Sequence, residues 1–158
     1  MRYLIIILII LTPLFSFSEE PSLADAQKAY QDGKHLKAYE MWRSLADRGD
    51  IVAMNNLGFL YEQGVVVNKN LNKSLDYYRK SAESGFPTAQ YNMGEAYAEG
   101  RGVEKNNVTA LKWFILAGTR GDKDAINYYE KIFDTMTKEE VKKANTLAKN
   151  WRTKIKKE

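Results

Sequence analysis

Glu95 and Glu99 stand four residues apart, so a helix would carry both carboxylates on one face. Paired carboxylates are what general acid–base chemistry uses, and Glu62 adds a third acid one unit earlier. The same spacing on a solvated helix face is also ordinary protein surface. His35 is the only histidine and there is no cysteine. That leaves no nucleophilic triad, no thiolate, no disulfide and no zinc pattern. A phosphate-binding loop and a nucleophile elbow are absent as well. Asn72-Lys73-Ser74 and Asn107-Val108-Thr109 fit the glycosylation acceptor pattern. Both fall where a helix begins, where asparagine is an ordinary cap. Tyr77-Tyr78 and Trp113-Phe114 have the residue types of a sugar or cofactor platform, but their helical phase assigns them to packing. No cofactor is implied.

The elements that hold these residues repeat. Ala53 falls on Ala89 at an offset of 36, and the shift continues through Leu57/Met93, Gly58/Gly94, Tyr61/Tyr97, Gly64/Gly100, Val67/Val103, Leu75/Leu111, Tyr77/Trp113, Tyr78/Phe114 and Gly85/Gly121. A period of this size marks stacked units, each too small to bury its own apolar face. Within a unit, Ala53, Leu57, Leu60 and Tyr61 form one helical stripe, and Leu75, Tyr78 and Ala82 form another after a loop at 65–70. Gly58 and Gly94 lie inside helices, where glycine costs about 1 kcal/mol, so close approach of a neighbouring helix is the expected return. Repeat one is 53–88 and repeat two is 89–124. Residues 19–52 read as a degenerate first copy. Residues 125–158 read as a further degenerate copy, in which Glu130 replaces the glycine, closed by an amphipathic capping helix. The fold class is all-α: a short right-handed α/α solenoid of about four stacked helix hairpins.

Met1-Arg2, the apolar run at 3–17 and Ser16-Phe17-Ser18 read as a signal peptide cleaved after Ser18. The run is shorter than the roughly 20 residues of a membrane span, and an uncleaved anchor is the alternative. Without a cysteine at the junction, a lipoprotein anchor is excluded. The expectation is an exported protein, periplasmic or secreted, with no stable membrane span after cleavage. The chain's formal charge of +4 loses Arg2 on cleavage, too small an excess to suggest nucleic-acid binding. The charge is uneven: 137–158 is strongly basic and the remainder slightly acidic. A basic last helix suits an anionic surface or acidic partner, or simply water, with Lys154, Lys156 and Lys157 well placed at a helix C-terminus.

The runs Ala53-Met-Asn-Asn-Leu-Gly-Phe-Leu-Tyr-Glu-Gln-Gly64 and Ala89-Gln-Tyr-Asn-Met-Gly-Glu-Ala-Tyr-Ala-Glu-Gly100, with Gly102-Val103, Lys80-Ser81-Ala82 and Ala110-Leu-Lys-Trp113, resemble the Sel-one-like repeat family, relatives of the tetratricopeptide repeats. Val66 departs from the family's second loop glycine, and Asn70 and Asn106 from its usual aspartate. The resemblance implies a non-enzymatic interaction scaffold, often exported in bacteria, that binds a protein or peptide. In such stacks the first helix of each pair lines a concave groove. Register then places Asn55, Phe59, Glu62, Tyr91 and Glu95 in it, flanked by Lys28, Gln31, Asn127 and Lys131. Phe59 and Tyr91 would supply the contact area, and Asn56 and Asn92 either a ligand contact or a bond between helices. Two alternatives accompany this reading: a cell-wall ligand binder or enzyme using Glu62, Glu95 and Glu99, and a secreted virulence factor with a host partner.

Overall fold

The structure, a computed structural model, describes residues 20–155; the expected signal segment and the lysines at 156 and 157 lie outside them. Eight helices and no strand occur among the described residues. They are α1 (Leu23–Gln31), α2 (His35–Asp47), α3 (Ile51–Gln63), α4 (Leu71–Glu83), α5 (Pro87–Glu99), α6 (Asn107–Gly118), α7 (Lys123–Phe133) and α8 (Lys138–Ile155).

Each boundary has a local cause. Asp50, Asn70, Asn106 and Asp122 cap α3, α4, α6 and α7, each side chain accepting a backbone N–H three residues on. The caps of α4 and α6 are therefore Asn70 and Asn106, not the glycosylation-pattern asparagines; Asn72 and Asn107 already lie inside their helices. Gly64 and Gly100 end α3 and α5 in the left-handed region. The loop then folds back, and the backbone N–H of Asn70 and of Asn106 donates to the carbonyls of Tyr61 and Tyr97 (2.8 and 2.9 Å). These bonds set where α4 and α6 begin relative to α3 and α5.

The in-helix glycines mark the closest contacts. A Cβ on Gly58 would lie 2.6 Å from the Tyr78 ring, and one on Gly94 would lie 2.5 Å from the Phe114 ring. Each glycine thus admits an aromatic ring from the second helix of its own unit. Ala53, Leu57, Leu60, Ala89, Met93, Leu111, Phe114 and Leu116 are fully buried around these contacts.

The last pair departs from the expected hairpin. α8 packs on α6 rather than on α7. Glu130 occupies the glycine register position of α7, where a side chain forbids the approach that Gly58 and Gly94 allow. α8 instead buries Ala144 and Ala148 and sets Trp151 edge-on to Trp113, ring centres 6.4 Å apart. Thr137 and Glu140 form the expected capping box at its start: the hydroxyl accepts from the Glu140 N–H and the carboxylate accepts from the Thr137 N–H.

Candidate functional site

Arg101 sits in a sharp loop between two residues of positive φ, Gly100 (74°) and Gly102 (70°). The turn lays its side chain across the ends of α3 and α5. There its Nη1 pairs with Glu62, its Nη2 lies 3.1 Å from Glu95 Oε2, and its Nε lies 3.1 Å from Glu99 Oε2. The Nε contact is an ion pair by distance only, because the N–H is not aimed at the oxygen and has no hydrogen-bond partner among the described residues. Three carboxylates around one guanidinium leave a formal excess of negative charge.

A tyrosine backs each carboxylate. Tyr78 donates to Glu62 (2.9 Å), Tyr91 to Glu95 (2.8 Å) and Tyr128 to Glu99 (3.3 Å). Burial, reinforced by these acids, pushes all three phenols up, so they stay protonated donors. Partial burial works against the charge on Arg101, but Glu62, Glu95 and Glu99 together outweigh it and raise its affinity for the proton. Each carboxylate is held by Arg101 and a tyrosine, so the arrangement is a net-negative ion-pair network joining α3 and α5, in which Glu99 is the exposed member and Glu62 and Glu95 are largely covered. Arg101 fills the centre a cation would need, and no group of metal ligands occurs among the described residues.

The expected groove residues divide. Glu62, Tyr91 and Glu95 come together around Arg101. Asn55 is 7% exposed and its Oδ1 accepts from the Asn92 amide (2.9 Å), a bond between α3 and α5; of the recurring pair, Asn92 makes this bond, while Asn56 accepts from its neighbour Asn55 (3.5 Å). Phe59 is 39% exposed, with the Tyr30 ring edge-on to it at 6.3 Å. Tyr91 is half-buried, packed against Phe114 and Tyr128. Lys131 is exposed and lies over the Tyr128 ring (5.3 Å). Lys28 on α1 pairs with Asp32 (3.6 Å) and takes no part in the cluster, and Gln31 and Asn127 are exposed. His35 packs against Tyr30, the rings tilted by 51° with centres 4.7 Å apart. Arg101, the centre of the cluster, is missed by sequence reasoning. Its signal was a break in the repeat: the counterpart 36 residues earlier is Val65.

Comparison with known proteins places the repeats. The Sel1 repeat model matches residues 51–86 and 87–122. The chain is similar to a solved protective antigen from uropathogenic Escherichia coli strains that displays an SLR fold, with a TM-score of 0.76, 29% identity, and coverage of 81% of this chain and 28% of that one. It is also similar to a Sel1 repeat protein from Oxalobacter formigenes, with a TM-score of 0.67, 30% identity, and coverage of 70% and 46%. The chain thus spans under half the length of either. No curated protein matches.

Proposed function

Since this is a Sel1-repeat protein, with two such repeats set in the solenoid of solved ones, we propose that it is an exported, non-enzymatic scaffold that binds a protein or peptide across its α1, α3, α5 and α7 face. Sel1-repeat proteins generally mediate protein–protein interaction. The observation that carries the reading is the Glu62–Glu95–Glu99 cluster around Arg101, with the exposed Phe59 ring on the same helix as Glu62. A net-negative cluster whose exposed member is Glu99, on the same face as an aromatic ring, suits a segment bearing cationic and apolar side chains, whose cations would pair with the carboxylates that Arg101 leaves in excess. The antigen whose fold the chain shares supports a surface or secreted setting, and the apolar run at 3–17 supports export.

The test is site-directed photo-crosslinking in the producing cell, with the crosslinker at position 59 and mass spectrometry of the captured species. One reproducible partner, whose purified affinity falls at least tenfold on Glu95→Gln or Phe59→Ala, supports the proposal. Capture only of wall fragments, or partner affinity indifferent to both substitutions, overturns it.

A further inference from the structure

Tyr77 and Tyr78 are neighbours with different fates. Tyr78 enters the core under Gly58, whereas Tyr77 is half-exposed and lines a cavity of about 200 Å³ with Tyr61, Lys73, Asp76 and Lys80. The Tyr61 and Tyr77 rings stack in parallel at 5.8 Å, and the Tyr39 and Tyr61 hydroxyls lie 3.2 Å apart at its edge. Lys73 lies over the Tyr61 ring (5.2 Å) and Lys80 over the Tyr77 ring (5.9 Å). Neither lysine has a carboxylate partner among the described residues, and Asp76 is engaged by Arg79 (3.1 Å).

The repeat shows what this surface is. Advancing Tyr39, Tyr61, Tyr77 and Lys80 by 36 residues gives Leu75, Tyr97, Trp113 and Leu116. Leu75, Trp113 and Leu116 form one cluster with Ala148 of α8, and Tyr97 and Trp151 pack against it. The cavity is therefore the one-repeat-earlier counterpart of the seat that α8 occupies, left open among the described residues and rebuilt with hydroxyls and cations.

We propose that this open seat docks an acidic amphipathic helix of a protein partner. The helical occupant follows from α8 on the equivalent surface. Its acidity follows from Lys80 standing where the covered seat has Leu116, and from the unpaired Lys73 beside it. Charge also excludes a second copy of α8, whose exposed face carries Lys142, Lys143, Lys149 and Arg152. The seat shares no residue with the Glu62–Arg101 cluster, so the two readings stand or fall separately.

The probe is a fluorescein-labelled peptide copy of residues 137–153 with Lys142, Lys143, Lys149 and Arg152 changed to Glu, which keeps the Val141, Ala144, Ala148 and Trp151 face. Fluorescence anisotropy against the full chain should show saturable binding. The Lys73→Glu/Lys80→Glu protein, altered only at exposed positions, should bind at least tenfold more weakly while keeping its circular dichroism. The unaltered basic peptide should also bind at least tenfold more weakly. A benzophenone at the Trp151 position of the peptide should crosslink to the segments bearing Tyr61 and Tyr77. No binding of the acidic peptide, equal binding to the charge-reversed protein, crosslinks elsewhere, or complete displacement by millimolar phosphate would each overturn the proposal, the last by identifying a small-anion pocket.

Discussion

Adding one methyl group at Gly94 tests the packing argument directly. An alanine Cβ there would lie 2.5, 2.7 and 2.8 Å from three carbons of the Phe114 ring. Carbon atoms settle near 3.5–4.0 Å, so the ring must retreat by about 1 Å. It has little room: Phe114 is fully buried, stacked on Tyr128 at 5.2 Å and flanked by Tyr91 at 5.9 Å. Overpacking of this kind costs about 1–3 kcal/mol, and the better helix propensity of alanine returns about 1. At so short an approach the upper part of the range applies, giving a net loss of about 1–2 kcal/mol. For a chain of this size that lowers Tm by roughly 3–8 °C. Gly118→Ala is the internal control. Its Cβ meets Ile126 Cγ1 at 3.1 Å, but Ile126 is exposed and free to turn away, so Tm should hold or rise slightly. Gly94→Ala combined with Phe114→Leu should cost less than the sum of the two single changes, by about 1 kcal/mol, because the smaller side chain vacates the space. Differential scanning calorimetry of the four variants decides it. Gly94→Ala melting at or above the parent, or strict additivity in the double variant, would refute the idea that these glycines exist to admit an aromatic ring.

Leu57 is fully buried, and Leu57→Ala should destabilise the fold by about 2–5 kcal/mol through the cavity it leaves, as read by chemical denaturation. Asn106→Ala should cost about 1 kcal/mol by removing a helix cap, whereas Asn72→Ala, inside α4 and exposed, should change stability by no more than about 0.5 kcal/mol. Thermal melts would show the cap assignment wrong if the two were equal. The Thr137 backbone N–H, and then its hydroxyl, hold the Glu140 carboxyl below its ordinary range. The unfolded chain therefore takes up the proton first as pH falls. The stabilisation is present above the ordinary carboxylate pKa and disappears as pH drops through the lowered folded value. Helicity followed from pH 6 to pH 2 should lose part of its acid dependence in Glu140→Ala; an unchanged profile would remove the capping box from the account.

The periodic positions were legible because repetition and helical phase state the same constraint twice. Gly58 and Gly94, costly inside helices, mark the close contacts in the sequence itself, and Tyr78 and Phe114 are the rings that fill them. What was hidden lies where one repeat differs from the other. Helical phase and repetition assign Tyr77 to packing together with Tyr78 and Trp113, yet of the equivalent pair Tyr77 and Trp113 only Trp113 is buried, under α8, which covers the second copy alone. Asn70 and Asn106 looked like departures at loop positions, yet they cap the helices that the glycosylation-pattern asparagines were expected to begin. Arg101 had no counterpart in the other repeat, so no pattern drew attention to it, and only the positive-φ turn shows that it reaches three acids at once. The detachment of α8 from α7 was foreshadowed by Glu130, although a missing glycine says what a helix cannot do and not where its partner goes instead.

From α1 to α7 every helix packs chiefly on the one before it and the one after it, and the main step that skips a neighbour is the return of α8 to α6. Contacts so close along the chain require little loop closure, so the entropy lost before each one forms is small and folding should be fast. The same arrangement makes cooperativity directional. A helix pair is held by its neighbours, and opening should spread inward from whichever end is looser. At the C-terminal end the last 18-residue helix vaults over α7 and fastens to the second repeat. It works as a latch: amide protons in α6 should exchange slowly for as long as α8 is seated, and unlatching it would expose Trp113 and let the repeats open one after another.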